Sequence, residues 1–75
     1  MPFDLELDCT GMLCPLPIVK TQKAILGMTP GQVLRMRATD KGALSDMQAW
    51  ARQTGNRLLA HSEADGVFTF YLHKS

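Results

Sequence analysis

Two prolines separated by a single residue, Pro15 and Pro17, restrict the conformation of this 75-residue chain more than any other local feature. Proline has no backbone N–H and its ring fixes φ at about −65°, so it is excluded from helix interiors and from central strands. The first turn of a helix accepts it, because the N–H groups there have no helical partner. We therefore expect a strand to end before the prolines and a helix to begin at them.

Alternating apolar and polar residues predict four strands. The patterns lie at residues 4–8, 33–39, 57–62 and 67–73, where apolar residues fall on one side of each extended segment. In the third of these segments, Leu58 and Ala60 are expected to face the core and His61 the opposite side. Asp65-Gly66 separates the last two segments and predicts a hairpin turn between them.

Apolar residues at helical spacing predict two helices. The first extends from Pro15 to about Met28, and the second ends at Gly55 in the C′ position. Ser45 and Gln48 have the spacing of a capping box near the start of the second helix. The expected buried faces comprise Ile18, Thr21, Ile25 and Met28 in the first helix and Ala43, Met47, Trp50, Ala51 and Thr54 in the second.

The element order βαβαββ predicts the fold, since every strand has one apolar face that must be covered. We predict an α/β protein of the α+β type: a two-layer α/β sandwich with a mixed four-stranded sheet and two helices on one face. Residues 1–75 are expected to form a single domain, because a chain of this size has room for one core. The uncovered face of the sheet is expected to display Arg35, Arg37, His61, Tyr71 and His73.

Composition and cysteine content indicate a cytoplasmic location. No apolar run approaches the roughly 20 residues of a membrane span, and residues 1–8 are acidic where a secretory signal is basic. Two cysteines are too few for a disulfide-stabilised secreted scaffold, so reduced thiols are expected. Cys9, at the end of a strand, is interpreted as structural, and we expect neither a cofactor nor a metal ion.

Cys14 is the candidate reactive group. As N-cap it would place Pro15 at N1, Leu16 at N2 and Pro17 at N3, with Leu13 packed on Ile18 as a hydrophobic staple. The free N–H groups of the first turn and the positive end of the helix dipole would then favour an anion at the sulfur. We therefore expect a lowered pKa for the Cys14 thiol and a nucleophilic thiolate. The alternative is a cysteine that merely fills the corner between strand and helix.

The chain resembles the TusA/SirA-like sulfur carriers over nearly all of its length. The resemblance rests on LDCTGMLCPLPIVKTQKA at residues 7–24, PGQVL at 30–34 and ATD at 38–40. Its core is the CPxP motif, which reads Cys14-Pro15-Leu16-Pro17 here and follows a matching Gly11. The resemblance implies the two-layer sandwich and a catalytic Cys14 that carries sulfur as a persulfide, with Gly11, Pro15, Leu16 and Pro17 as supporting motif residues.

The same resemblance implies protein partners. A sulfur donor, such as a cysteine desulfurase or a rhodanese-like protein, would load Cys14, and a sulfur-relay protein would accept the sulfur. Neither a membrane nor direct nucleic-acid binding is expected, and whether such a carrier counts as a sulfurtransferase enzyme stays open. Leu13 and Leu16 stand where relatives that act in tRNA thiolation often have charged residues. This departure weakens the assignment to tRNA thiolation and leaves sulfur oxidation, cofactor assembly and other relay pathways open.

Further differences and rival interpretations concern other residues. Gln48 and Ala51 replace a proline and a cysteine that are frequent in the family, so Cys14 is the only motif thiol. Trp50 is interpreted as a core residue rather than as docking surface. The rival functions are a non-catalytic interaction or regulatory module and a redox sensor in which Cys9 resolves oxidised Cys14. A metal site of both cysteines and a histidine is disfavoured, because C-x₄-C lacks the spacing of zinc motifs.

Overall fold

The computed structural model describes residues 1–75 and has the predicted order βαβαββ. Each predicted helix and strand is present, with its ends displaced by at most two residues except at the start of α2, where the N-cap is Gly42 and not Ser45. The elements are β1 (Leu5–Cys9), α1 (Leu16–Leu26), β2 (Val33–Ala38), α2 (Ala43–Thr54), β3 (Arg57–Ala64) and β4 (Val67–His73).

The four strands form one mixed sheet in the order β1-β2-β4-β3. Strands β1 and β2 are parallel, while β4 pairs antiparallel with both β2 and β3, which confirms the predicted mixture. The β3–β4 connection is the predicted hairpin turn. Asp65 and Gly66 have φ values of 53° and 79° there, the positive values that a two-residue type I′ turn requires.

One hydrophobic core lies between the sheet and the two helices. Register places Leu34 opposite Leu72 and Met36 opposite Phe70, so these side chains share the face that the helices cover. Ile25 from α1 and Met47 from α2 are buried in the same cluster. The two-layer sandwich with both helices on one face is therefore confirmed. The core residues are Cys9, Ile25, Met28, Leu34, Met36, Ala38, Ala43, Met47, Trp50, Ala51, Phe70 and Leu72.

The start of α2 differs from the predicted capping box. Gly42 is the N-cap, so Ser45 lies inside the first turn, and its hydroxyl donates to the Gly42 carbonyl at 3.3 Å. The carboxylate of Asp40 accepts the Gly42 N–H at 3.1 Å instead. The capping-box prediction is wrong because the side-chain acceptor at this helix start comes from Asp40, which precedes the helix, and not from Ser45. Gly55, with φ of 77°, ends α2 as predicted.

A register shift in β3 reverses the predicted alternation. Leu58 lies opposite Leu72 on the covered face, but the irregularity between Leu58 and Ala60 puts Ala60 opposite Tyr71 on the other face. His61 then lies opposite Phe70, with ring centroids 6.5 Å apart. The expectation that Ala60 faces the core and that His61 lies on the uncovered face is therefore wrong, since one extra residue inverts every later side chain.

Ion pairs occupy the uncovered face of the sheet. Arg37 lies 3.3 Å from Glu6 and 3.5 Å from Asp8, and Arg35 lies 3.8 Å from Glu6. The Arg35 guanidinium also lies 5.3 Å from the centre of the Phe3 ring. Because β1 and β2 are paired neighbours, the acidic side chains of β1 lie beside the basic side chains of β2. Neither helix has the length and apolar character needed to cross a bilayer.

Candidate cysteine site

The loop from β1 to α1 is held to the end of β2. Gly11, with φ of 79°, donates its N–H to the Thr39 hydroxyl at 2.8 Å, and Met12 donates to the Cys9 carbonyl at 3.2 Å. The left-handed conformation explains why glycine stands at position 11. These bonds fix the backbone a few residues before Cys14, so the thiol is presented from an anchored loop.

Helix α1 begins one residue later than predicted. Pro15 is the N-cap, Leu16 is the first helical residue and Pro17 the second, which leaves Cys14 just before the cap. The N–H of Leu16 donates to the Leu13 carbonyl at 2.9 Å and is therefore not directed at the sulfur. Leu13 itself is 72% exposed, so the predicted staple on Ile18 is absent. Both prolines nevertheless lie where N–H groups have no helical partner, as predicted.

Cys14 lies at one wall of an open cleft between the two helices. Its thiol is exposed. The cleft has a volume of about 200 Å³ and is lined by Cys14, Pro15, Ile18, Asp46, Ala49, Trp50 and Gln53. Residues from the start of α1 therefore form one wall and residues from α2 form the other. Asp46 is the only acidic or basic residue among them, and it faces the same space as the sulfur.

The electrostatic environment of Cys14 is opposite to the one predicted from sequence. Partial desolvation raises the pKa of the Cys14 thiol, and the charge of Asp46, hydrogen bonding to that carboxylate and the charge of Asp40 raise it further. The expected lowering of this pKa is wrong for two reasons. The N–H of Leu16 is already bonded, and folding brings two carboxylates of the α2 region to the sulfur.

Exposed apolar side chains lie near Cys14, just before it in the chain and on the first turns of α1. Leu13 is 72% exposed and Leu16 49% exposed, and Val19 follows on the next turn of α1 with 43% exposed. Side chains three residues apart lie on the same helical face, so Leu16 and Val19 are neighbours. We name Leu13, Leu16 and Val19 the apolar rim. The apolar rim is thus available to a protein that docks at Cys14.

The other residues considered from sequence lie away from this cleft or within the core. Cys9 is fully buried, and desolvation followed by the charge of Asp8 raises the pKa of its thiol, which fits the structural role predicted. Burial of Cys9 also makes it a poor resolving thiol for Cys14. Trp50 is buried as predicted, and its indole N–H donates to the Gln22 side chain at 2.9 Å, which ties α2 to α1. The structure assembles no group of three or more His, Cys, Asp or Glu residues that could hold a metal ion.

Sequence reasoning missed the acidic residues near the thiol. Asp40 enters the sequence argument only as the last residue of ATD, and Asp46 has no predicted role there. Nothing in their local sequence indicates proximity to Cys14, because that proximity depends on how α2 packs beside α1. The signal that could have indicated it is the predicted parallel pairing of β1 and β2, which places the segments after both strands at one edge of the sheet.

The fold and the site together define a class of small α+β proteins in which the cysteine of a CPxP motif is exposed just before a helix. The family described as Sulfurtransferase TusA matches residues 5–74. The chain belongs to this family.

Individual comparisons agree with that assignment. The Sulfur carrier protein TusA of Allochromatium vinosum is 48% identical over 73 residues, which cover 97% of this chain and 96% of the relative. The crystal structure of a SirA-like protein from Desulfitobacterium hafniense superposes with a TM-score of 0.83 at 22% identity, covering 93% of this chain and 96% of the other. At that identity the structural match supports the fold alone.

Proposed function

We propose that this protein carries sulfane sulfur as a persulfide on Cys14, between a donor protein and an acceptor protein. The observation that carries the proposal is an exposed cysteine in the CPxP motif, held just before α1 in a chain that belongs to the TusA family. The name of the Allochromatium relative, a sulfur carrier protein, supports the same role. Gly11, Pro15, Leu16 and Pro17 act by fixing the loop and the helix start around the sulfur.

Loading of Cys14 is a thiol exchange at sulfur. The Cys14 sulfur attacks the outer sulfur of a donor persulfide, and the S–S bond of the donor breaks as the new S–S bond forms. The electron pair of the broken bond stays on the donor cysteine, which takes up the proton lost by Cys14. The donor cysteine is thereby reduced and Cys14 is oxidised to the persulfide. Delivery repeats the step, with an acceptor thiolate attacking the outer sulfur on Cys14.

Intact-mass spectrometry after incubation with a persulfide donor tests the proposal. The wild-type protein should gain about 32 Da, the mass of one sulfur atom, and should lose it on reduction. Cys14→Ser should gain nothing. Cys9→Ala is the matched control, because Cys9 is the other thiol of the chain and is buried, and it should load like the wild type. An unchanged wild-type mass, or loading that persists in Cys14→Ser, would refute the role of Cys14.

A further inference from the structure

The cleft beside Cys14 combines apolar walls with a single carboxylate. Ile18 and Trp50 contribute apolar surface, and Asp46 is the one charged residue in the lining. A cavity of about 150 Å³ accommodates a benzene-sized ligand, so about 200 Å³ suits one side chain of a partner. A long side chain with an aliphatic stem and a charged end matches such a lining, because its two parts meet the apolar wall and the carboxylate respectively.

The negative charge at this site has no basic partner within the protein. All three ion pairs of the structure use Glu6 or Asp8, on the uncovered face of the sheet. Helix α1 carries Lys20 and Lys23, and α2 carries Arg52, but none of these lines the cleft. Asp46 on α2 and Asp40 in the preceding loop are the charged groups that act on Cys14. Asp46 lies in the first turn of α2, where the helix dipole favours a carboxylate, but no basic side chain pairs with it. A cation supplied from outside would therefore find a carboxylate without a basic side-chain partner in the same cleft as the sulfur.

We propose that the sulfur donor inserts an arginine or lysine side chain into this cleft, with its stem against Ile18 and Trp50 and its cation on Asp46. This inference rests on the proposed function, since it assigns to the donor one recognition element of the carrier. Apolar contacts of the donor with the exposed rim of Leu13, Leu16 and Val19 would add to the ion pair. Partial exclusion of water at such a contact strengthens a charge pair.

The donor is assigned this cation because loading is the step that starts from the Cys14 thiol. Cys14 has to lose its proton when it attacks the donor persulfide, and the negative charge of Asp46 opposes that loss. A basic side chain on Asp46 offsets the charge, so the thiolate forms where and when the donor persulfide is at hand. In delivery the attacking thiolate belongs to the acceptor and Cys14 is the leaving group, so a cation on Asp46 would assist that step as well.

Thiol–disulfide exchange with small symmetric disulfides tests the preference of the cleft for cations. The reagents are cystamine, a dication, and 2-hydroxyethyl disulfide, which is neutral and of similar length. Each forms a mixed disulfide with Cys14 and releases half of the reagent as a thiol, so mass spectrometry gives both rate constants. Comparing the cystamine-to-neutral rate ratio between variants cancels the intrinsic difference in reactivity of the two reagents.

The ratio should fall about fivefold from wild type to Asp46→Asn, the effect of removing one charge at contact distance in water. Glu63→Gln removes an exposed carboxylate of β3 that does not line the cleft, and it should keep the wild-type ratio. In the wild type the ratio should also fall when the salt concentration is raised to 1 M, because the Debye length shrinks to about 3 Å. The measurement at high salt uses the wild-type protein alone, so it does not depend on whether a variant folds.

An equal ratio in wild type and Asp46→Asn, or a wild-type ratio insensitive to salt, would overturn the inference. Neither measurement uses a persulfide, so each outcome is independent of sulfur loading. A protein that loads sulfur but has the same rate ratio in wild type and Asp46→Asn would refute the cation site alone. A protein whose rate ratio falls in Asp46→Asn but that never gains sulfur would refute the proposed function instead.

Discussion

Thr21 on α1 offers the sharpest test of the packing described above. Its side chain is fully buried between helix and sheet, and its hydroxyl oxygen has no hydrogen-bond partner. A buried polar group without a partner costs about 1–3 kcal/mol. Thr21→Val replaces that hydroxyl by a methyl group of nearly the same shape, and the two residues have similar helix propensity. We therefore expect the substitution to stabilise the protein by about 1 kcal/mol.

Urea denaturation followed by the fluorescence of Trp50, the single tryptophan, measures the change. At about 2.1 cal/mol/K per residue, the unfolding entropy of 75 residues turns 1 kcal/mol into a rise of about 6 °C in Tm. Thr54→Val is the matched control, because the Thr54 hydroxyl donates to the Trp50 carbonyl at 2.8 Å and its loss should destabilise by about 1 kcal/mol. A destabilised Thr21→Val would refute the reasoning, since it would mean that the Thr21 hydroxyl makes a favourable bond.

Three further predictions concern the cysteine, its loop and the core. Because the pKa of Cys14 is raised, its alkylation by iodoacetamide should be slower at pH 7.5 than that of an unstructured cysteine peptide, and Asp46→Asn should move the midpoint of the rate–pH curve down; an unmoved midpoint would contradict the role of Asp46. Gly11→Ala should lose about 1–2 kcal/mol in chemical denaturation, because φ is 79° there, whereas Gly27→Ala, with φ of −87°, should be near neutral. Met47→Ala should destabilise by about 2–5 kcal/mol in the same measurement, since Met47 is fully buried, and a smaller loss would mean that the core collapses around the site.

Local patterns sufficed to predict most of the fold. The alternation of β4 from Val67 to His73 matches the strand that forms, and Gly55 ends α2 with the positive φ expected of a helix-terminating glycine. Both features depend on residues that lie close together in the sequence. The family resemblance and the apolar faces then left one plausible arrangement of two helices on one sheet.

Features set by non-local contacts could not be predicted in the same way. The irregularity near Leu59 depends on how β3 fits against β4, and it reversed the expected positions of Ala60 and His61. The second error concerns the start of α1. The N-cap is Pro15 and not Cys14, and the Leu16 N–H donates to the Leu13 carbonyl. Proline spacing limits where a helix can begin to two or three adjacent positions, and the choice among them rests on contacts that the motif alone does not contain.

Under the proposed function, the acidic neighbours of Cys14 would limit the reactivity of its exposed thiol until the donor arrives. Exposure is required for transfer between proteins, yet the thiolate is the form that oxidants and stray electrophiles attack. A motif that permanently lowered the pKa of Cys14 would leave the sulfur vulnerable, whereas desolvation and the charges of Asp46 and Asp40 raise that pKa. Reactivity then has to come from whatever neutralises those carboxylates. A donor that carries both the persulfide and the neutralising cation would couple activation of the thiol to the arrival of its sulfur.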